Sequence, residues 1–289
     1  MKLAATAGCW LLAMLLVAGF GGSPPVMAAP HRVVSVNVCT DQLAMLVAAP
    51  GQLIAVSHLA REPYSSAMAA EAEGYAVTNG QAEAVFQLQP DLVLAGAYTT
   101  PVTVRLLERL GVRVERFASA TTIAAIAADL RRMGVLLGRE AQAEAIAEAV
   151  ERRFAALQAK THGAAPVRAA FLDANSYTAG RGTLLHAMME AAGLQNVAAE
   201  LGLAFTARLP LETLVLAKPD LLLMAQRYPS PSMGEAVLDH PAVRAVAARI
   251  GRAEISGAAS TCGTPATLAA VERLAAAGRA AAARRIRHD

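Results

Sequence analysis

Aromatic residues and net charge are both scarce in this chain of 289 residues. Phe, Trp and Tyr make up 4% of it, and 26 Lys and Arg against 23 Asp and Glu leave a formal charge of only +3. No basic stripe with interleaved aromatic residues occurs, which is the pattern typical of nucleic-acid-binding surfaces. The composition therefore excludes strong electrostatic recruitment of nucleic acid.

Histidine clusters and common catalytic motifs are also lacking. The six His are isolated, at positions 31, 58, 162, 186, 240 and 288, so no closed site for a first-row metal is expected. No nucleophile-elbow, phosphate-loop or zinc-protease motif occurs. An enzyme would need Cys39 as a nucleophile beside Asp41 and His58, and nothing in the sequence requires these residues to touch. We expect a binding protein rather than an enzyme.

Cysteine is rare, and one of the three Cys lies in a segment that we expect to be removed. Residues 1–28 have a positive start at Lys2, an apolar core at 11–20 and small residues before Ala28, as in a secretory signal peptide. The core is shorter than the roughly 20 residues that span a membrane. Cleavage after Ala28 would lower the charge to +2 and leave Cys39 and Cys262 in an oxidising compartment.

One pattern does stand out, because the chain uses it twice. Residues 83–94 and 212–223 both contain Glu, Pro seven positions later, then Asp and a run of apolar residues. The first part suits two turns of helix that the Pro ends, and the apolar run suits a strand buried on both faces. One such unit in each half predicts two α/β lobes of similar build with a ligand cleft between them.

The rest of the chain supports this division. Apolar segments at residues 32–37, 53–57, 92–95 and 112–117, separated by helical patterns, predict a first parallel sheet. Segments at 167–172, 221–224 and around 255 predict a second. Residues 121–161 predict two helices, of which the second, roughly 30 Å long, could connect the lobes. The predicted divisions are a signal peptide at 1–28, a Rossmann-like lobe at 29–137, a connecting helix at 138–162 and a second Rossmann-like lobe at 163–289.

In this order and spacing the chain resembles the substrate-binding proteins of ABC importers for vitamin B12, ferric siderophores and haem. The stretches that carry the resemblance are residues 32–36 with the helix start at 40–41, and residues 83–94, 106–112, 136–140, 191–196 and 212–223. The resemblance covers essentially the whole mature chain. It implies a periplasmic protein with two α/β lobes joined by one long helix, and a permease dimer in the inner membrane as its partner.

The resemblance also implies a role for Glu83 and Glu212. In this family an acidic residue on each lobe docks onto arginines of the permease, and these two Glu occupy the matching positions. A local role is compatible with docking. With Gly80 as a cap and Pro210 as the first helical residue, each Glu would be third in its helix, where a carboxylate favours the helix N-terminus.

Ligands of open α/β sheets lie beyond the carboxyl ends of the strands. That rule predicts ligand-binding side chains in the loops after the strands of both lobes. The candidates are Asn37, Cys39, Thr40, His58, Arg61, Tyr64, Tyr98, Tyr177, Arg181, Arg227, Tyr228, Thr261 and Cys262. Four Tyr among them suit a flat ligand and three Arg suit an anionic one. His58 is either an axial ligand to a chelated metal or a structural residue.

The two remaining cysteines depart from the family pattern. Many relatives have a small or hydroxyl residue at the position of Cys39, and often a Trp in the loop that contains Cys262. Three interpretations are open: a disulfide, a thiolate pair for a soft metal, or two unpaired small residues. The disulfide, which we prefer, requires α-carbons within about 7 Å and would restrict separation of the lobes.

These observations predict a monomeric periplasmic protein that captures a small-molecule metal chelate and delivers it to an ABC permease. The expected cargo is an iron chelate of the ferric siderophore type, with a corrinoid such as cobalamin, or haem, as the alternatives. The chelate is a ligand, and no intrinsic cofactor is expected. A ligand-sensing subunit would use the same two docking Glu.

Overall fold

The structure is a computed structural model that describes residues 29–161, 166–230 and 232–288. It contains two α/β lobes, each built on a parallel sheet, and a long helix that connects them, as predicted. The predicted signal peptide at 1–28 lies outside the described residues, as does most of the break predicted after the connecting helix.

The first lobe is a five-stranded parallel sheet in the order β3-β2-β1-β4-β5. Its strands are β1 (Val33–Ser35), β2 (Leu53–Ser57), β3 (Ala76–Thr78), β4 (Leu92–Ala95) and β5 (Val114–Arg116), and its helices are α1 (Val38–Val47), α2 (Ala69–Ala72), α3 (Ala82–Gln87) and α4 (Pro101–Arg109). A 3₁₀ turn spans His58–Arg61. The central strands β1 and β4 are buried along their whole length, as their apolar sequences predict.

Two helices follow, as predicted for residues 121–161. They are α5 (Ile123–Leu137) and α6 (Glu140–Thr161), and Gly138 separates them in the left-handed conformation at φ 65°. The 22 residues of α6 correspond to about 33 Å. The helix therefore spans nearly the whole of the segment predicted to connect the lobes.

The second lobe contains a four-stranded parallel sheet in the order β11-β10-β6-β8 and an antiparallel ribbon of β7 and β9. The strands are β6 (Val167–Leu172), β7 (Tyr177–Ala179), β8 (Leu194–Asn196), β9 (Thr206–Arg208), β10 (Leu221–Ala225) and β11 (Arg252–Ile255). The helices are α7 (Leu184–Ala191), α8 (Val197–Glu200), α9 (Leu211–Ala217), α10 (Pro241–Ile250), α11 (Gly257–Ser260) and α12 (Pro265–His288), with 3₁₀ turns at Ala174–Ser176 and Met233–Asp239.

Threonine side chains fix the starts of three helices. Thr100, Thr122 and Thr183 each accept a hydrogen bond from the backbone N–H three residues further on, at 3.3, 3.1 and 3.2 Å. These bonds satisfy N–H groups that have no partner in the first helical turn. Thr183 therefore caps α7.

One apolar core runs through both lobes and the helices between them. It includes Val33 and Leu94 of the first sheet, Leu130 and Met133 of α5, Val150 of α6, Met188 of α7 and Leu223 of the second sheet. An ion pair between Arg153 and Glu272, with N–O distances of 2.9 and 2.6 Å, also ties α6 to α12. Because the lobes share packed side chains, the structure favours a small relative motion of the lobes over a wide swing. None of the described helices is both long and apolar enough to cross a membrane.

Candidate functional site

The repeated helix–strand unit is reproduced in detail by both lobes. The residue before each Pro has a positive φ, 48° at Gln89 and 46° at Lys218. The following Asp accepts backbone N–H groups of the neighbouring strand. Asp91 binds the amides of His31 and Arg32 at 2.8 and 3.1 Å. Asp220 binds the amide of Arg168 at 2.9 Å.

An arginine that was not among the residues nominated from sequence completes this network in each lobe. Arg32, directly before β1, donates to the carbonyl oxygens of Leu88 and Gln89 at 2.6 and 3.0 Å. Arg168, at the equivalent position in β6, donates to that of Ala217 at 2.7 Å. The carbonyl groups just after α3 and at the end of α9 are thereby held against the adjacent strand. The sequence signal that could have revealed this arginine is an Arg at the start of the first apolar run of each lobe.

Glu83 and Glu212 occupy equivalent positions, but one residue earlier in their helices than predicted. The caps are Gln81 and Pro210, so each Glu is the second helical residue and Gly80 lies outside the helix. Neither side chain is buried, and within the described ranges neither carboxylate has a hydrogen-bond or ion-pair partner. The helix N-terminus still favours a negative charge at this position.

Both Glu lie at the rims of the cleft. Helix α3 begins shortly after β3, whose carboxyl end faces the cleft together with the ends of the other parallel strands. Helix α9 begins just after Leu209, whose amide donates to the carbonyl of Ser176 in the loop that follows β6. A partner that contacts both Glu would therefore span the mouth of the cleft.

The two cysteine-containing segments meet at the cleft. Cys39 is the second residue of α1, and Cys262 lies in the turn between α11 and α12. The structure joins their sulfur atoms as a disulfide, with a Cα–Cα distance of 5.0 Å and 223 positions between them in sequence. A side chain on the adjacent Gly263 would come within 2.6 Å of Ala120, so the turn packs closely against the first lobe. The sulfur of Cys39 is thus directed to Cys262 rather than to His58 or Asp41.

Two tyrosines form a second contact between the lobes. The ring of Tyr64, from the first lobe, stacks on that of Tyr228, from the second, with centroids 5.0 Å apart and an interplanar angle of 30°. A side chain on Gly257 would come within 2.9 Å of the Tyr64 carbonyl oxygen, which again shows close approach. Tyr177 lies beneath the guanidinium of Arg208 at 5.5 Å.

The other candidates divide into exposed and structural groups. Tyr98 is 87% exposed, and His58 is exposed at the start of its 3₁₀ turn. Asn37 caps α1 by accepting the amide of Cys39 at 3.0 Å. The buried Thr40 hydroxyl donates to the Asn37 carbonyl at 3.0 Å. Asn37 and Thr40 therefore have local structural roles, which do not conflict with a position near a ligand.

The three nominated arginines are not equally available to an anion. Arg227 makes a bidentate pair with Asp239, with N–O distances of 2.8 and 2.9 Å. Arg61 donates to the backbone carbonyls of Tyr75 and Ala72 at 2.6 and 3.3 Å. Arg181 is exposed, and its side chain has no polar partner within the described residues. Two of the three guanidinium groups are thus already engaged.

Little empty space remains at the strand ends of the first lobe. A cavity of about 80 Å³ is lined by side chains that include Asn37, Cys39, Tyr98, Phe117, Asp129 and Thr261. A groove of about 590 Å³ lies elsewhere, between the start of α5 and the ends of α6 and α7, and none of the nominated residues lines it. No cluster of three or more potential metal-ligating side chains occurs in the described part of the chain.

Asp41 is a buried acid in α1, two residues after Cys39. Its carboxylate accepts the Ser57 hydroxyl at 2.5 Å and the Ser57 amide at 3.2 Å. Burial raises the pKa of Asp41 from 3.8 to about 6, while the hydrogen bonds from Ser57 and the proximity of His58 oppose this rise. Since burial penalises the charged form, Asp41 lowers the stability of the folded protein most above pH 6.

This pKa predicts a pH-dependent effect of Asp41→Asn. Asp41 is protonated in both folded and unfolded states below about pH 4 and ionised in both above about pH 6, so its stability cost develops between these values. The variant should therefore gain about 2–3 kcal/mol relative to wild type between pH 4 and pH 7.5. Urea unfolding of both proteins at the two pH values measures this gain. A stability difference independent of pH would contradict the assignment.

Comparison with known proteins places this architecture in a family. The sequence profile of the periplasmic binding proteins matches residues 33–250. The cobalamin-binding protein of Halobacterium salinarum is 30% identical over 197 residues, which are 67% of this chain and 53% of that protein. The chain thus spans about half the length of that curated relative.

Two solved structures share the fold. A periplasmic haem-binding protein of Pseudomonas aeruginosa superposes with a TM-score of 0.71 at 22% identity, covering 86% of this chain and 92% of that one. The periplasmic vitamin B12-binding protein of Vibrio cholerae gives 0.67 at 20% identity, covering 88% and 98%. The predicted resemblance is therefore confirmed, and the chain belongs to the periplasmic binding protein family, in the group related to binding proteins for vitamin B12 and iron chelates.

Proposed function

We propose that this chain is the periplasmic substrate-binding component of an ABC importer, which captures a metal chelate between its lobes and delivers it to a permease dimer. The observation that carries the proposal is the duplication at the cleft rims. Each lobe presents an accessible Glu on a short helix, and the same Arg and Asp network fixes both helices. Two equivalent contacts fit a receptor made of two equivalent subunits.

The charge distribution favours a cargo without strong negative charge. Arg61 and Arg227, two of the three candidate partners for an anionic ferric siderophore, are engaged with backbone carbonyls and with Asp239. Of the three arginines, only Arg181 has a guanidinium group that makes no polar contact with the described residues. A corrinoid such as cyanocobalamin is uncharged overall and presents a large flat surface that suits tyrosine rings. We therefore propose a corrinoid in preference to the iron chelate expected from sequence, and the name of the Halobacterium relative supports this choice.

Such a cargo requires the lobes to separate at their tyrosine contact. Sites for drug-sized ligands occupy about 300–1,000 Å³, whereas the cavity at the strand ends holds about 80 Å³. The Tyr64–Tyr228 stack contains no covalent bond, while Cys39 and Cys262 are joined. The cleft would therefore open on the side of the tyrosines and remain tethered at the cysteines.

Binding experiments with four chelates test the cargo assignment. Cyanocobalamin, a neutral ferric hydroxamate, a ferric tris-catecholate and haemin should be titrated into the mature protein by calorimetry. We expect saturable binding of cyanocobalamin and at least tenfold weaker binding of the polyanionic tris-catecholate, because few cations are available. Tight binding of the tris-catecholate without binding of cyanocobalamin would overturn the corrinoid assignment but not the importer role.

Tyr64→Ala and Tyr228→Ala should each weaken cargo binding by about 1–3 kcal/mol, or about 5- to 150-fold, because each removes an aromatic contact. Tyr64→Phe is the matched control, since it retains the ring and should bind nearly as wild type does. Calorimetric titration with cyanocobalamin measures all three. Unchanged affinity in both alanine variants would place the ligand elsewhere.

A further inference from the structure

The outer face of each Glu-bearing helix also exposes apolar side chains. In α3, Phe86 lies one turn after Glu83 and is 43% exposed. In α9, Val215 and Leu216 lie one turn after Glu212 and are 40% and 78% exposed. Residues three and four positions apart share a helix face. Each docking carboxylate therefore has an apolar neighbour on the surface.

These exposed apolar side chains are not the ones that anchor the two helices in their lobes. Val85 and Leu214, which precede Phe86 and Val215, are fully buried and anchor the helices in their lobes. Single exposed apolar residues are common on protein surfaces and need no explanation. Here, however, Phe86 and Val215 occupy the same position of the repeated unit in both lobes.

The helices are also held in a defined orientation, as a contact surface requires. They are only six and seven residues long, too short to be stable alone. Arg32 and Arg168 bind the carbonyl groups at their ends, and Asp91 and Asp220 bind the adjacent strands. A rigid helix presents its carboxylate and apolar side chain together at little entropic cost.

We propose that Phe86 on one lobe, and Val215 with Leu216 on the other, are contact residues for the periplasmic face of the permease dimer. Each would pack beside a cation of the permease that pairs with Glu83 or Glu212. An apolar surround excludes water and thereby strengthens an ion pair, as around energetically dominant residues at protein interfaces. The two carboxylates predict a cationic surface on the permease. Their equivalent positions in the two lobes predict two matching copies of that surface. This inference rests on the proposed importer function.

The test compares Phe86→Ser and Leu216→Ser with Val135→Ser, a control on α5 that is 66% exposed and away from the repeated unit. Uptake of labelled cyanocobalamin should fall about tenfold in the first two variants, because truncation of an energetically dominant interface residue costs at least about tenfold in affinity. The control should transport as wild type does. All three should bind cyanocobalamin within twofold of wild type in solution.

A second readout does not depend on the identity of the cargo. Benzoylphenylalanine placed at position 86 or 216 should, on illumination of the producing cells, form adducts with an ABC permease subunit identified by mass spectrometry, whereas position 135 should not. Adducts with other proteins only, or none, would overturn the inference. If reversal of Glu83 and Glu212 stops uptake but Phe86→Ser and Leu216→Ser do not, the apolar contacts are wrong and docking stands. If none of the four variants affects uptake, the proposed docking function is wrong as well.

Discussion

Charge reversal at either docking position, Glu83→Arg or Glu212→Arg, should reduce cargo import to background while leaving cargo affinity in solution within about twofold of wild type. Placing like charges against each other at an interface costs several kcal/mol, and the proposed permease surface is cationic. Both carboxylates are accessible and have no partner within the described residues, so their replacement should not disturb the lobes. Uptake of labelled cyanocobalamin in cells and calorimetry on the purified variants separate the two effects.

The matched control for these variants is Glu108→Arg. Glu108 is an exposed carboxylate of α4 in the first lobe that lies outside the repeated unit. The same change in net charge at this position should leave uptake unaltered, which excludes a general electrostatic effect. If Glu83→Arg or Glu212→Arg weakens binding in solution as strongly as uptake, the residues contribute to the cargo site and the docking assignment is wrong.

The longer strands could be predicted from sequence with their bounds, whereas four of the three-residue strands were not predicted. Strands β2, β4 and β6 begin and end at the predicted residues because their largely apolar runs are bounded by polar residues, Gly or Pro. Strands β3, β7, β8 and β9 have only three residues each, and their propensity signal is too short to separate them from loops. Their conformation is imposed by neighbouring strands rather than by local sequence.

The same limit applies to the candidate site. The rule that ligands lie beyond strand ends nominated Tyr64 and Tyr228 separately, but their stacking depends on how two lobes are packed, which no local pattern encodes. The availability of the arginines also depends on partners distant in sequence or on loop shape. Asp239 neutralises Arg227 and the carbonyl of Tyr75 engages Arg61. The sequence therefore predicted the loops in which polar side chains lie, and the structure indicated which of these side chains are available to contact a ligand.

Removing the bond between Cys39 and Cys262 should destabilise the folded protein strongly. A cross-link that closes a loop of 223 positions restricts the unfolded chain by roughly 5 kcal/mol in the chain-entropy account, and measured losses on removing native disulfides are about 2–5 kcal/mol. The double variant Cys39→Ala/Cys262→Ala should lose a stability in that range. Urea unfolding of wild type with and without reductant, beside the double variant, measures this loss.

Two further observations distinguish the disulfide from its alternatives. Thiol titration of the unreduced, denatured protein should detect no free thiol, and two thiols per chain would exclude the bond and leave soft-metal ligation to be tested by metal analysis. Reductant should destabilise wild type but not the double variant, which isolates the bond from general effects of the reagent. Because the bond tethers the lobes beside the cleft while the tyrosine contact can separate, its loss should also accelerate cargo release. An unchanged dissociation rate of bound cyanocobalamin in the double variant would show that the bond stabilises the fold without limiting the opening of the cleft.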